Sequence, residues 1–290
     1  MKHIKRCQPL LGTFVEITAE GTQGETRLHS EVGKAFDLIR SVSRMMSFHD
    51  VDSDVSRLNR CAHIAPLRVH PWTRQVIESA VKLSADTEGA FDITIAPRLV
   101  KWGYLPRHKV CHALSEAAQW NDIELHDDGS IGFRKPLQID LGGIAKGFAV
   151  DKAIDYLSTR GLHSAVVNAG GDLRVYGEGP HELAIRHPAA PQAEALPAVM
   201  LRPAVATSAA YFAQKRQGFA KVSPIVHPRT GKPMRSNLSV SVFSPTCIQA
   251  DALTKAVLLA PQALWNRVLR EANSLALFIT TKGEQVLFPA

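Results

Sequence analysis

Apolar positions recur at two periods along the chain, and the switches between them mark the elements. Gly12–Ala19 alternates β-branched and polar residues, as a strand with one buried face does. Thr26–Met45 places Leu28, Val32, Phe36, Ile39 and Val42 at a helical period. Pro71–Glu88 predicts a second helix, opened by Pro71 and closed ahead of Gly89. Asp122–Leu125 and Ile131–Phe133 flank Asp127-Asp128-Gly129, which reads as a hairpin turn. Ile144–Arg160 predicts a third helix that stops at Gly161. Short strands are expected at Ala165–Val167, Leu173–Tyr176 and Glu182–Ile185, and a loop at Pro188–Pro197, which is rich in Ala and Pro. Asp251–Leu259 and Leu264–Arg270 predict helices, and Ser274–Ile279 and Gln285–Phe288 closing strands. Helices and strands intermingle without a strict βαβ rhythm. That favours an α+β fold over a doubly wound sheet.

At 290 residues the chain has room for one large domain or two small ones. Its formal net charge of +7 favours an anionic partner: nucleic acid, an acidic surface or a phosphorylated small molecule. The basic residues are dispersed, and the densest run, Lys2–Arg6, is too short for a nucleic-acid arm, so no nucleic-acid partner is expected. Cys7, Cys61, Cys111 and Cys247 form no Cys-x-x-Cys pair, which excludes a zinc knuckle and a thioredoxin-type motif. Isolated cysteines are expected as small buried apolar residues. No apolar stretch precedes Cys7, so neither a signal peptide nor a lipoprotein cleavage region is read there. No apolar run approaches the ~20 residues of a bilayer span. A cytoplasmic protein without membrane insertion is the expectation.

Several segments could carry chemistry. Asp50-Val-Asp-Ser-Asp54 spaces its acids like a calcium loop, but Val55 and Cys61 stand where an EF-hand needs Gly and Glu. The better reading is a helix start, with Ser53 or Asp52 capping Val55–Asn59. Gly142-Gly-Ile-Ala-Lys-Gly147 lacks both the P-loop and the dinucleotide spacing. Its glycines still expose amides at a helix start, Lys146 adds a charge one turn in, and Asp140 stands just before the turn. A phosphate site and a plain Gly-rich strand-to-helix turn both fit. Asn168-Ala-Gly-Gly-Asp172 reads as a hairpin, and His227-Pro-Arg-Thr-Gly231 as a turn whose Arg229 is either exposed or aimed at an anion. Ala250-Asp-Ala-Leu-Thr-Lys255 reads as a helix opening, with Asp251 in its first turn and Thr254 offering a second hard oxygen for Mg²⁺.

In order, these segments join Leu10-Leu-Gly-Thr-Phe14, Met46–Asn59, Gly89-Ala-Phe-Asp-Ile-Thr94 with Trp102-Gly103, and Ala206-Thr-Ser208. The set resembles the ApbE family of FAD:protein FMN transferases over nearly the whole chain. The resemblance implies one domain spanning 1–290, an α+β fold of mixed or antiparallel sheets with flanking helices, and a T-fold-type architecture with FAD between two interwoven lobes. It implies FAD as substrate, Mg²⁺ at the diphosphate, and transfer of FMN to a Ser or Thr hydroxyl of a separate acceptor protein with release of AMP. Some members instead hydrolyse FAD to FMN and AMP. Carried over by position, Asp251 and Lys146 would be catalytic, and Gly143, Asp251 and Thr254 would hold the metal. His49, Ala90, Phe91, Asp92, Asp140, Lys146 and Ile225 would surround FAD.

This chain departs from the family pattern in three places. Pro224-Ile-Val-His227 stands where His-Ile-Ile-Asp is common, and Ser208-Ala209 where Ser-Gly is. Four residues after Asp251, where a metal-binding Thr is usual, there is Lys255. A protonated ammonium cannot ligate Mg²⁺ and repels it at close range. Either Thr254 takes over the ligand role with Lys255 turned to the diphosphate, or Lys255 replaces part of the metal's charge. The persistence of Asp251 and Gly143 favours the first.

Overall fold

Alternating burial builds the central sheet. The computed structural model describes residues 1–108, 113–115, 117–178, 180–190, 195–209, 213–218 and 220–289. The chain opens with β1 (Lys2–Leu10), β2 (Thr13–Gly21), α1 (Glu25–Met46), α2 (Asp54–Cys61), β3 (Leu67–Arg68), α3 (Pro71–Asp86) and α4 (Ala96–Lys101). Then come β4 (Ile123–Leu125), β5 (Ser130–Phe133), α5 (Ala145–Ser158), β6 (Ser164–Ala169), β7 (Asp172–Tyr176), β8 (Glu182–Arg186) and β9 (Ala195–Val199). The chain closes with β10 (Ala204–Ala209), β11 (Lys215–Gln217), β12 (Ala220–Val222), β13 (Ser239–Ser244), α6 (Cys247–Leu259), α7 (Gln262–Glu271), β14 (Leu275–Ile279) and β15 (Gln285–Phe288).

Eight strands form one antiparallel sheet in the order β1-β2-β6-β7-β10-β13-β14-β15. β2 buries Val15, Ile17 and Ala19, and β6 buries Ala165, Val167 and Ala169, each on one face at period two. Against that face, α1, α5 and α6 form a row: α1 beside β1 and β2, α5 over β6 and β7, α6 over β10 and β13. Phe36, Ile39, Phe148 and Ile154 fill the space between. β13 is buried on both faces. Its Val240 and Val242 pack toward α6 and α7, and Phe243 toward the β8–β9 hairpin. This is the α+β arrangement of antiparallel sheets and flanking helices that the sequence predicts. Among the described residues, no helix is long and apolar enough to cross a membrane.

The helices over 26–45, 71–88 and 144–160 fall where periodicity puts them, and Ser53 rather than Asp52 caps α2, accepting from the Ser56 amide. Three expectations need correction, and one strand has no counterpart in the sequence reading. Lys2–Leu10 is a full strand, disguised in the sequence because as an edge it keeps Lys2 and Lys5 in solvent. The predicted loop at 188–197 runs into β9, which pairs with β8 from Ala195 onward. α6 begins at Cys247, so Asp251 lies in its second turn rather than its first. Of the described cysteines, Cys247 is buried and Cys7 and Cys61 are exposed; Cys111 lies outside the described residues.

Candidate active site

The site forms where the N-termini of α5 and α6 meet. Gly147 makes that approach possible: a Cβ there would overlap the carbonyl of Cys247 and sit 2.8 Å from the Ile248 amide nitrogen. At this distance each helix supplies a carboxylate to the other. Asp251 of α6 accepts from the Gly147 amide at 3.1 Å, and Asp151 of α5 accepts from the Cys247 and Ile248 amides, both at 2.8 Å. Both exchanges satisfy N-terminal donors that would otherwise be orphaned, and both place negative charge at the positive end of a helix dipole.

The strand-to-turn segment leading into α5 is pinned from two sides. Asn59 brackets Ile139, donating to its carbonyl at 3.0 Å and accepting from its amide at 2.8 Å. The Asp140 amide then donates to the Ile93 carbonyl at 2.8 Å, which ties this segment to the Ala90–Asp92 turn. In that turn Ala90 and Phe91 are buried, and Asp92 accepts from the Thr94 and Trp120 amides. Phe91 lies against Gly143, whose open side would bring a Cβ to 3.7 Å from both the Phe91 ring and Cε of Lys255.

Four charges converge here. Lys146 is ion-paired with Asp172, which the β6–β7 hairpin carries in, and its Nζ lies 4.0 Å from Asp251 Oδ2. Lys255 is ion-paired with Asp251 Oδ1 and donates to the Asp251 carbonyl at 2.9 Å. Asp251 is fully buried, whereas the Lys146 and Lys255 side chains keep 31% and 19% of their surface open. Burial opposes ionisation of Asp251, but the Lys146 and Lys255 ammoniums outweigh it and hold the carboxyl below its usual range. Burial likewise works against the charge on Lys146, and Asp172 and Asp251 overcome it and raise its pKa. Burial and repulsion from Asp251 push Asp172 up, so Asp251 is the carboxylate held most firmly ionised. Burial lifts the Cys247 thiol well above its ordinary value, leaving it a neutral packing group.

A cavity of about 260 Å³ opens beside this cluster, lined by Leu11, His49, Asp140, Gly142 and Lys146 among others. His49 is exposed at its rim. Burial raises Asp140 to about 6, with the Gly142 amide and the nearby His49 working in the opposite sense. A second cavity of about 670 Å³ is lined by Asp92, Arg98, Val226 and Arg229 among others. Ile225 itself packs among Val240, Leu253 and Val257, and its carbonyl accepts from Met234, so the lining begins at Val226. Arg229 is exposed and donates to the Glu88 carbonyl.

The residues present do not form an open cradle for a divalent ion. Both Asp251 oxygens are engaged, one by Lys255 and one by Gly147. The Thr254 hydroxyl donates to the Asp251 carbonyl at 2.7 Å and meets the Ser208 hydroxyl at 2.7 Å. Two charges about 4 Å from an ammonium would be repelled by about 8 kcal/mol at an effective dielectric constant of ~20. Thr254 and Lys255 both face Asp251 here, the one through its carbonyl and the other through its carbonyl and carboxylate. Lys255 folds back onto Asp251, the carboxylate four residues before it on the same helix face.

Sequence reasoning missed Asp172, Asp151 and Ser208 as parts of this constellation. Asp172 had a weak signal, a lone acid after paired glycines. Asp151 had none, since it is one of several charged residues in a helix that also carries Lys146, Lys152 and Asp155.

Two helix N-termini, two lysines and two aspartates thus meet in one place on an antiparallel α+β sheet. The ApbE family matches residues 11–279, and the chain belongs to that family. It is 28% identical over 295 residues to the FAD:protein FMN transferase of Vibrio cholerae, covering 95% of this chain and 86% of that protein. The FAD:protein FMN transferase of Escherichia coli K12 is 26% identical, with 94% and 82% covered. Among solved structures, flavin transferase ApbE from Vibrio cholerae superposes with a TM-score of 0.80 at 26% identity, covering 99% of this chain and 96% of its own. The ApbE protein of Thermotoga maritima gives 0.83 at 23% identity, with 98% and 96% covered, a likeness of fold.

Proposed function

We propose that residues 1–290 act as one flavin transferase domain, moving FMN from FAD to a Ser or Thr hydroxyl of a separate acceptor protein and releasing AMP. The observation that carries this is the convergence of Lys146 and Lys255 on Asp251 at the α5 N-terminus, beside a cavity lined by His49 and Asp140. The names of the similar proteins support the reaction class.

In this reading the diphosphate lies across the α5 amides and the two ammoniums, with FAD between the lobes and His49, Ala90, Phe91, Asp92 and Asp140 around it. The acceptor oxygen attacks the FMN phosphorus, the bond from that phosphorus to the bridging oxygen breaks, and AMP leaves with that oxygen. The hydroxyl proton passes to solvent or AMP. Charge neutralisation and alignment do the catalytic work, and no protein nucleophile is required. Asp251 positions both ammoniums. The resemblance implies Mg²⁺, but the side chains around Asp251 fit it poorly, and no step here passes through it.

The test is incubation with FAD and a candidate acceptor, with and without Mg²⁺. Covalent flavin on the acceptor together with free AMP supports transfer. Free FMN alone would reassign the site to FAD hydrolysis, and tight FAD binding with neither product would remove both activities. A cytoplasmic location is part of the same proposal, and fractionation with activity tracking tests it.

A further inference from the structure

The charges around Asp251 balance without any ion. Lys146 and Lys255 contribute two positive charges, Asp172 and Asp251 two negative ones. With a neutral residue at position 255 the same set would carry one net negative charge and draw in a cation. Lys255 supplies that cation covalently. Its Nζ bonds the carboxylate and the backbone carbonyl of Asp251, and its Cε lies 3.7 Å from where a Gly143 Cβ would stand. It therefore occupies the gap between Asp251 and Gly143, the two groups expected to hold a metal. Thr254 is committed to the Asp251 carbonyl and Ser208. Among the described residues, no group of three or more His, Cys, Asp or Glu is arranged to hold a metal.

We propose that Lys255 is a built-in cation that replaces the divalent metal between Asp251 and the diphosphate of a bound dinucleotide. The inference rests on the flavin-transfer reading above for the identity of the dinucleotide, but not for the absence of a metal site. An ammonium offers three hydrogen-bond donors and one charge. It can keep two donors on Asp251 and turn the third to a diphosphate oxygen. A tethered cation also removes the dependence of dinucleotide binding on free metal, since nothing has to be recruited from solution.

Two measurements on the full-length protein test this. Mn²⁺ binding to the protein without FAD is followed by electron paramagnetic resonance, for wild type, Lys255→Thr and Lys255→Arg. The wild type and Lys255→Arg are expected to bind no stoichiometric Mn²⁺, and Lys255→Thr, which restores a hydroxyl four residues after Asp251, to gain one site. FAD affinity is then measured by flavin fluorescence in EDTA and in millimolar Mg²⁺. Wild-type affinity is expected to change by less than twofold. Lys255→Thr is expected to lose tenfold or more in EDTA and to recover it with Mg²⁺. A stoichiometric Mn²⁺ site in the wild type, or the same Mg²⁺ response in wild type and Lys255→Thr, would overturn the proposal. If FAD fails to bind the wild type under any condition, the flavin reading falls, while the Mn²⁺ result still decides the role of Lys255. Lys255→Arg keeps the charge, so its retention of fold and metal indifference separates charge from mere structural loss.

Discussion

The N-termini of α5 and α6 use the same device and put it to different ends. Each takes a carboxylate from the other helix. Asp151 closes its arrangement completely: two amides on one side, and Arg174 at 2.8 Å on the other, with Asp155 also held by that arginine at 2.9 Å. Asp251 also caps an amide, but its remaining side-chain contacts are two partly exposed lysines, one of which, Lys146, lines a cavity. Exposure does not separate the two, since Arg174 keeps 19% of its side chain open, as Lys255 does. The difference lies in how the cations are shared: Arg174 holds two acids of one helix, Asp151 and Asp155, whereas Lys146 and Lys255 meet on a single buried carboxylate beside the cavity that His49 and Asp140 line.

The contrast can be broken at its common root. Gly147→Ala forces the two backbones apart, and we expect a loss of about 3 kcal/mol or more, with FAD binding abolished. Chemical denaturation and flavin titration would measure both. Asp151→Ala strips two amides and Arg174 of their acceptor, and is expected to cost about 3 kcal/mol while leaving FAD affinity per folded molecule within about threefold. If FAD affinity fell with stability, the division between a structural and a functional carboxylate would be wrong. Asp251→Asn keeps the volume and one acceptor, so its melting temperature should fall less than that of Asp151→Ala. Its turnover should drop about 100-fold, because both ammoniums lose their anchor.

The smallest effect concerns Asp140. Its pKa rises on folding to about 6, so the buried charged form is disfavoured. A raised pKa contributes stability that is present at acid pH and is lost as pH climbs from about 4 through about 6. Asp140→Asn removes that slope. Relative to wild type it should gain about 2 kcal/mol between pH 4 and pH 7, which paired melts across that range would detect.

The reach of sequence reasoning follows the range of the interactions involved. α1, α3 and α5 are set by apolar spacing within one helix, and the β4–β5 hairpin by Asp127-Asp128-Gly129, all local signals. Lys146 and Asp251 were legible through ordered blocks that no single period supplies. The pairing of Lys146 with Asp172, and of Asp151 with the α6 amides, was not legible, because each joins residues from separate elements through packing. β1 escaped because an edge strand can keep its polar residues wet, so its alternation looks like a charged tail. The fate of Lys255 turned on a side-chain direction, which sequence spacing offers as a choice between a carboxylate on its own helix and a phosphate outside it.

The exchange of carboxylates also sets a schedule for synthesis. Asp251 follows Gly147 by 104 residues, and Cys247 follows Asp151 by 96. A nascent chain therefore displays α5 long before its cap is made, and Asp151 waits as long for the amides it will bind. The first half leaves the ribosome with an unfinished helix start and no completed charge cluster. A chain cut before α6 lacks Asp251 and Lys255 and cannot assemble the four-charge cluster.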